Sequence, residues 1–137
     1  MRRPGWERRL EHRLEAARTR PYVLGEHDCF RVVCAAVEAL TGVDRWPEFA
    51  GRYRTRREAL ALIASYGSNF LAAFDWFFGG RRIDVRWAQR GDICALATPD
   101  GERHLGVCLG ERTAVLGAQG LIKMRTLDCI CAWRVEG

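Results

Sequence analysis

The sequence predicts an α+β fold in which N-terminal helices, among them a buried cysteine-bearing helix, pack on a C-terminal antiparallel sheet. Apolar residues recur at helical spacing up to about residue 78. From Asp84 onward they instead form short runs separated by tight turns, which is typical of strands. Short turns between consecutive strands favour an antiparallel meander, and helices followed by strands indicate the α+β class.

The helix expected from Cys29 to about Leu40 organises the chain. Asp28 is a good N-cap residue, and Gly42 stands where a left-handed C-terminal cap is expected. The segment reads D-C-F-R-V-V-C-A-A-V-E-A-L, and only two residues after the cap are charged. The helix should therefore be buried on most sides.

Three further helices are predicted on either side of this segment. The first runs from about Trp6 to Arg18 and has one apolar stripe. Thr55-x-x-Glu58 is a capping box that opens another, and Ser68-Asn69 can cap a last helix with an aromatic stripe. We expect that stripe to belong to the core.

The strands follow in the second half of the chain. Pro99-Asp100-Gly101 and Gly110-Glu111-Arg112 are the clearest turns between them. The predicted strands are Asp92–Thr98, His104–Leu109, Thr113–Leu116, Leu121–Met124 and Ile130–Val135.

Length and composition limit the possible functions. At 137 residues the chain is expected to form a single domain, residues 1–137, with a core of its own. It shows no membrane-spanning apolar run and no secretory signal, so synthesis in a cytosol is expected. The net charge of +5 comes from arginine-rich clusters, which we interpret as solvated faces because no nucleic-acid motif accompanies them.

The six cysteines are expected to be reduced thiols, because no secretory signal is present and most of them lie in apolar runs. Cys129-x-Cys131 lacks the spacing of a zinc site and has no second pair, so neither a metal nor a cofactor is predicted.

Cys29 is the candidate nucleophile. It lies in the first turn of its helix, where free backbone N–H groups and the helix dipole favour a thiolate. It is therefore expected to be the cysteine that alkylating reagents modify fastest near neutral pH. A histidine is the natural base for such a thiol. His12 belongs to an exposed helix face and His27 to the turn before the helix, which leaves His104 at the start of a strand.

Three segments together resemble NlpC-type cell-wall cysteine peptidases, which have a papain-like fold. The segment P-Y-V-L-G-x-x-D-C-F is similar to their nucleophile motif P-Y-x-W-G-G…D-C-S-G. Gly91-Asp92-Ile93 resembles their G-D-L strand, and the H-L-G-V run from His104 resembles their H-V-G-I strand. The three segments also occur in the same order as in these peptidases. The run G-x-H-D-C at residues 25–29 resembles the sequence found in a phage tail-tip branch of the superfamily.

The resemblance implies a catalytic site. Cys29 would be the nucleophile and His104 the general base, and the Tyr22 hydroxyl would support the oxyanion beside the Cys29 backbone N–H. The family adds a third polar residue in the next strand, where Leu116 stands here. Gln119 is the nearest polar substitute, and an amide can orient an imidazole as one does in papain-like enzymes.

The resemblance also implies a function: a cysteine peptidase or amidase of a phage tail tip or baseplate that cleaves peptidoglycan stem peptides. Its partners would be tail hub proteins and peptidoglycan, and its location the virion tail. Two alternatives remain open. One is a weak or inactive copy of the fold kept as a structural module of the tail tip, and the other is an acyltransferase that uses the same residues.

Overall fold

The computed structural model describes residues 1–136, and within them four α-helices precede a six-stranded sheet. The helices are α1 (Trp6–Ala17), α2 (Cys29–Thr41), α3 (Arg56–Ala64) and α4 (Phe70–Phe77). The strands are β1 (Arg82–Ile83), β2 (Ile93–Ala97), β3 (Arg103–Cys108), β4 (Arg112–Gly117), β5 (Gly120–Arg125) and β6 (Cys131–Trp133). The predicted α+β class is confirmed.

The helix boundaries follow the caps that the sequence contains. The Asp28 carboxylate accepts a hydrogen bond from the Arg31 backbone N–H at the start of α2, and Gly42 ends that helix with a φ of 82°. Thr55 and Glu58 form the predicted capping box of α3, and the Asn69 side chain caps α4. Side chains close to these helix starts satisfy N–H groups that have no partner inside the helix.

Helix α2 lies between α1 and the sheet and packs against β3 and β4. Its buried residues join Leu10 and Leu14 of α1 and the inward side chains of the sheet in one core. A second, smaller core on the far face of the sheet includes Cys94, Cys108 and Val115. The six cysteines are free thiols, as expected, and the side chains of Cys34, Cys94 and Cys108 are wholly buried.

The sheet is antiparallel but is not the simple meander that the turns predict. Its strand order is β1-β6-β2-β3-β4-β5. Strands β2 to β5 do form a meander, whereas β6 returns across the sheet to pair with β2. The two-residue β1, which was not predicted, pairs with β6 through Arg82 and Trp133.

The Asp92 carboxylate ties both chain ends to the start of β2. Its side chain is 0% exposed. Oδ1 lies 2.7 Å from Nη2 of Arg2 and Oδ2 lies 3.3 Å from Nε of Arg134. The backbone N–H groups of Gln89 and Val135 donate to the same carboxylate at 2.8 and 3.4 Å. The aspartate of the G-D motif is therefore a structural residue.

Candidate active site

Cys29 begins α2, as predicted, and its sulfur faces the first backbone N–H groups of the helix. Hydrogen bonds with the backbone of Leu105 in β3, of Phe30 and of Cys29 itself lower the pKa of the thiol. The bond from Leu105 is the direct contact between the helix start and the strand that carries His104. The fold thus brings two of the three resembling segments together.

Burial outweighs these hydrogen bonds. Removal from water raises the pKa of the Cys29 thiol from its ordinary 9.0 to about 11, and the Asp28 carboxylate beside it adds to the rise. Cys29 is therefore a protonated thiol at neutral pH. The expectation of a thiolate at this helix start is wrong, because the desolvation of the sulfur exceeds the favourable effect of the helix terminus.

Asp28 fixes the position of the helix start. It is buried, and one carboxylate oxygen accepts a hydrogen bond from the Arg31 backbone N–H at 2.9 Å. The other oxygen accepts from the Gly25 backbone N–H at 2.9 Å and from the Tyr53 hydroxyl at 2.5 Å. Tyr53 is itself buried and comes from the loop before α3. This bond joins residues 25 positions apart and could not be read from the sequence.

His104 lies in β3, half-buried and paired in register with Leu96 of β2. It lines the same cavity as Cys29, Asp28 and Tyr22. Among residues 1–136, no hydrogen bond links the imidazole to the Cys29 sulfur. The fold therefore places the predicted nucleophile and base on one cavity wall, and their roles stay predictions.

Tyr22 contributes a hydroxyl to the site. It is 37% exposed and lines the cavity. Partial burial is the largest cause that raises the pKa of the phenol to about 12, and the nearby Cys29, Asp28 and Glu102 add smaller increases. The phenol therefore keeps its proton at neutral pH and can donate a hydrogen bond, as oxyanion support requires.

Gln119 lies in the turn between β4 and β5, where it is exposed, and in the described part of the chain it is not on the cavity wall. Leu116, at the position matched to the third family residue, is buried in the core between the sheet and the helices. The backbone N–H of Tyr22 contacts this turn, donating to the Ala118 carbonyl at 3.4 Å. The role of Gln119 in orienting His104 thus has no contact that supports it and stays a prediction.

The other histidines lie outside this cavity. His12 is exposed on α1, as expected. His27 lies in the turn before α2, as expected, where it is buried and its Nδ1 lies 3.2 Å from the Pro21 carbonyl oxygen. Burial lowers its pKa. No group of metal-ligating side chains suited to an ion occurs within residues 1–136.

Comparison with known families identifies the chain. The family described as "Domain of unknown function (DUF6950)" matches residues 1–135. The chain belongs to this family. No curated protein matches its sequence. Within the described residues, no helix has both the length and the apolar character needed to cross a membrane.

The fold is also that of a known hydrolase domain. The crystal structure of the NlpC/p60 domain of the peptidoglycan hydrolase SagA matches with a TM-score of 0.58 and 16% sequence identity. The match covers 93% of this chain and 97% of that chain. The NlpC-like fold implied by the sequence resemblance is confirmed.

The protonation state of Cys29 can be tested by alkylation. At pH 7 iodoacetamide should modify Cys29 roughly 100-fold more slowly than an ordinary cysteine, because its pKa is raised from 9.0 to about 11. The rate should increase as pH rises from 7 to 9, since the thiolate fraction grows toward that pKa. Mass mapping of the modified peptide measures the rate.

The unfolded chain in urea is the control, because its Cys29 reacts with an ordinary pKa. Equal rates for folded and unfolded protein at pH 7 would contradict the raised pKa.

Proposed function

We propose that the protein is a cysteine hydrolase of the NlpC type that cleaves an amide bond in peptidoglycan stem peptides. The observation that carries the proposal is the meeting of the α2 start with β3, where Cys29, His104 and Tyr22 line one cavity. The NlpC/p60 fold supports it, since the structural neighbour is a domain of a peptidoglycan hydrolase.

In the proposed reaction the resting thiol must lose its proton as it attacks. His104 takes this proton, and the Cys29 sulfur bonds to the carbonyl carbon of the amide. The Cys29 backbone N–H and the Tyr22 hydroxyl stabilise the negative oxygen that forms. His104 then protonates the leaving amine, and water releases the acyl group from the sulfur. Because the pKa of Cys29 is about 11, the sulfur carries its proton at rest, and His104 must accept that proton for the attack to occur.

The proposed setting is a phage tail tip, where such an enzyme would open the cell wall. The partners would be tail hub proteins and peptidoglycan, and the protein would be made in the host cytoplasm before it joins the virion tail. The sequence resemblance to the tail-tip branch of the superfamily supports this setting.

A second candidate function is a structural module of the tail tip with weak or no catalysis. Two observations favour it: the protonated thiol, and the absence of a Cys29–His104 hydrogen bond in the described chain. The buried Leu116 at the position of the third catalytic residue supports it as well.

Digestion of purified peptidoglycan separates the two candidates. We expect the wild-type protein to release stem peptides and Cys29→Ala to release none, because the variant lacks the proposed nucleophile. His104→Ala should lower the rate about 10²–10⁴-fold through loss of the base. Mass spectrometry of the soluble products measures the release.

Cys34→Ala is the matched control, since Cys34 lies on the same helix but is buried away from the cavity. It should retain the wild-type rate. Equal release by Cys29→Ala and wild type would contradict the nucleophile. No release by any variant, with tails that fail to assemble only when the whole gene is deleted, would favour the structural module.

A further inference from the structure

The cavity beside Cys29 is large and mostly apolar. It measures about 620 Å³, within the usual size range of small-molecule sites. One group of polar residues, Tyr22, Asp28, Cys29 and His104, lies near the α2 start and β3, and Arg56, Ser68 and Asn69 line the side of α3 and α4. Much of the remaining wall is aromatic and aliphatic and includes Phe30, Phe49, Leu62, Phe70, Phe74 and Phe77.

Phe30 connects the nucleophile to this apolar wall. It follows Cys29 directly, and its ring centroid lies 5.1 Å from that of Phe49, 5.3 Å from Phe77 and 5.8 Å from Phe74. The peptidase motif has a serine at this position. Phe30 therefore places an aromatic residue, instead of a small polar one, on the wall of the cavity that Cys29 also lines.

Helices α3 and α4 complete the wall. None of the side chains of α3 is fully buried, and Leu60 is 49% exposed although it lines the cavity. Arg56 at the start of α3 forms an ion pair with Glu102 of the β2–β3 hairpin, which links the two sides of the cavity. The helix pair therefore encloses apolar space instead of filling it.

A substrate whose carbonyl reaches Cys29 must place one of its flanking groups in this space. Apolar groups gain free energy by leaving water, and most of the wall is apolar, although Arg56, Ser68 and Asn69 also line it. The cavity thus fits an unbranched hydrocarbon chain attached to the reacting carbonyl.

We propose that Cys29 accepts a medium- or long-chain fatty acyl group from an ester and that the apolar cavity holds the chain. This inference rests on the proposed role of Cys29 as nucleophile and adds a second class of acyl donor to the proposed amide hydrolysis. The sulfur bonds to the acyl carbon, the bond from that carbon to the alcohol oxygen breaks, and the thiol proton passes through His104 to the alcohol. Water then attacks the thioester, giving the fatty acid and the free thiol.

A series of p-nitrophenyl esters tests the inference. The acetate, butyrate, octanoate and dodecanoate are incubated with the purified protein, and intact mass and nitrophenolate release follow acylation. We expect the second-order rate constant to rise about tenfold or more from acetate to octanoate, because each buried methylene strengthens binding. Cys29→Ala should form no acyl adduct at this position.

Two matched leucine variants test whether the cavity wall causes the dependence of the acylation rate on chain length. Leu60→Asp places a charge on the cavity wall and should remove most of the chain-length dependence. Leu127 is similarly exposed, at 59%, but lies outside the cavity, so Leu127→Asp should behave as wild type. A chain-length dependence equally strong in Leu60→Asp would overturn the inference.

A binding measurement separates failure of the pocket from failure of the nucleophile. Decanamide is titrated calorimetrically into Cys29→Ala, which lacks the nucleophile, and saturable binding that Leu60→Asp abolishes is expected. Acylation of Cys29 at the same rate by every ester, without decanamide binding, would overturn the pocket and leave the nucleophile standing. Decanamide binding without acylation by any ester would support the pocket and overturn Cys29 as the nucleophile.

Discussion

Replacing Asp92 by alanine is expected to lower the free energy of unfolding by about 3–5 kcal/mol, the usual cost of removing one partner of a buried ion pair. The carboxylate is wholly buried and lies within 3.3 Å of the guanidinium groups of both Arg2 and Arg134. Its loss would leave the partly buried Arg2 without its counter-ion and two backbone N–H groups without an acceptor. Urea unfolding followed by circular dichroism measures the change.

Asp84→Ala is the matched control for this change. Asp84 also pairs with an arginine, Arg86, but both side chains are exposed and its carboxylate only caps a short turn, so the free energy of unfolding should fall much less than in Asp92→Ala. A similarly small effect for Asp92→Ala would show that the contacts of Asp92 with Arg2 and Arg134 contribute little to stability.

Replacing Asp28 is expected to change stability and thiol chemistry in opposite directions. Asp28→Ala should lower the free energy of unfolding by about 2–4 kcal/mol, because the helix loses its cap and the buried Tyr53 hydroxyl loses its acceptor. Asp28→Asn removes the charge and should also lower the pKa of Cys29, since the carboxylate raises it. Alkylation of Cys29 at pH 8 should therefore become faster in the less stable protein.

Thr55→Ala and Tyr53→Phe are the controls. Thr55 caps α3 but is not on the cavity wall, so its loss should cost about 1 kcal/mol without changing the reactivity of Cys29. A double-mutant cycle with Tyr53→Phe isolates the energy of the buried hydrogen bond. Unchanged alkylation in Asp28→Asn, with an intact fold, would contradict the electrostatic contribution.

The parts of the fold that could be predicted are those that neighbouring residues determine. The caps of α2, α3 and α4 lie within three residues of the N–H groups they bind, and the meander from β2 to β5 depends on short turns. Strand β6 lies within the predicted strand Ile130–Val135, whereas the two-residue β1 is too short for length or periodicity to reveal it. The pairing of β1 with β6 joins segments about 50 residues apart, so the sequence did not indicate it.

The candidate site divides in the same way. Cys29 could be located from its helix start, and His104 from its strand and the motif order. The pKa of Cys29 could not be predicted, because the burial of its sulfur and the contact with Leu105 of β3 arise only in the folded chain. The aromatic stripe of α4 was expected to be core, and it is partly buried there, but it also lines the cavity. Periodicity predicts which face of a helix points inward, but it does not show whether other side chains fill the space in front of that face.

The buried cysteines allow local opening of the helical layer and of the sheet to be measured separately. Cys34 lies in α2, whereas Cys94 and Cys108 lie in neighbouring strands, and all three sulfurs are closed to solvent. A thiol reagent can modify them only after the surrounding helix or strand opens. Their labelling rates under native conditions, compared by mass spectrometry, would therefore report the opening free energies of the helical layer and of the sheet without any introduced probe.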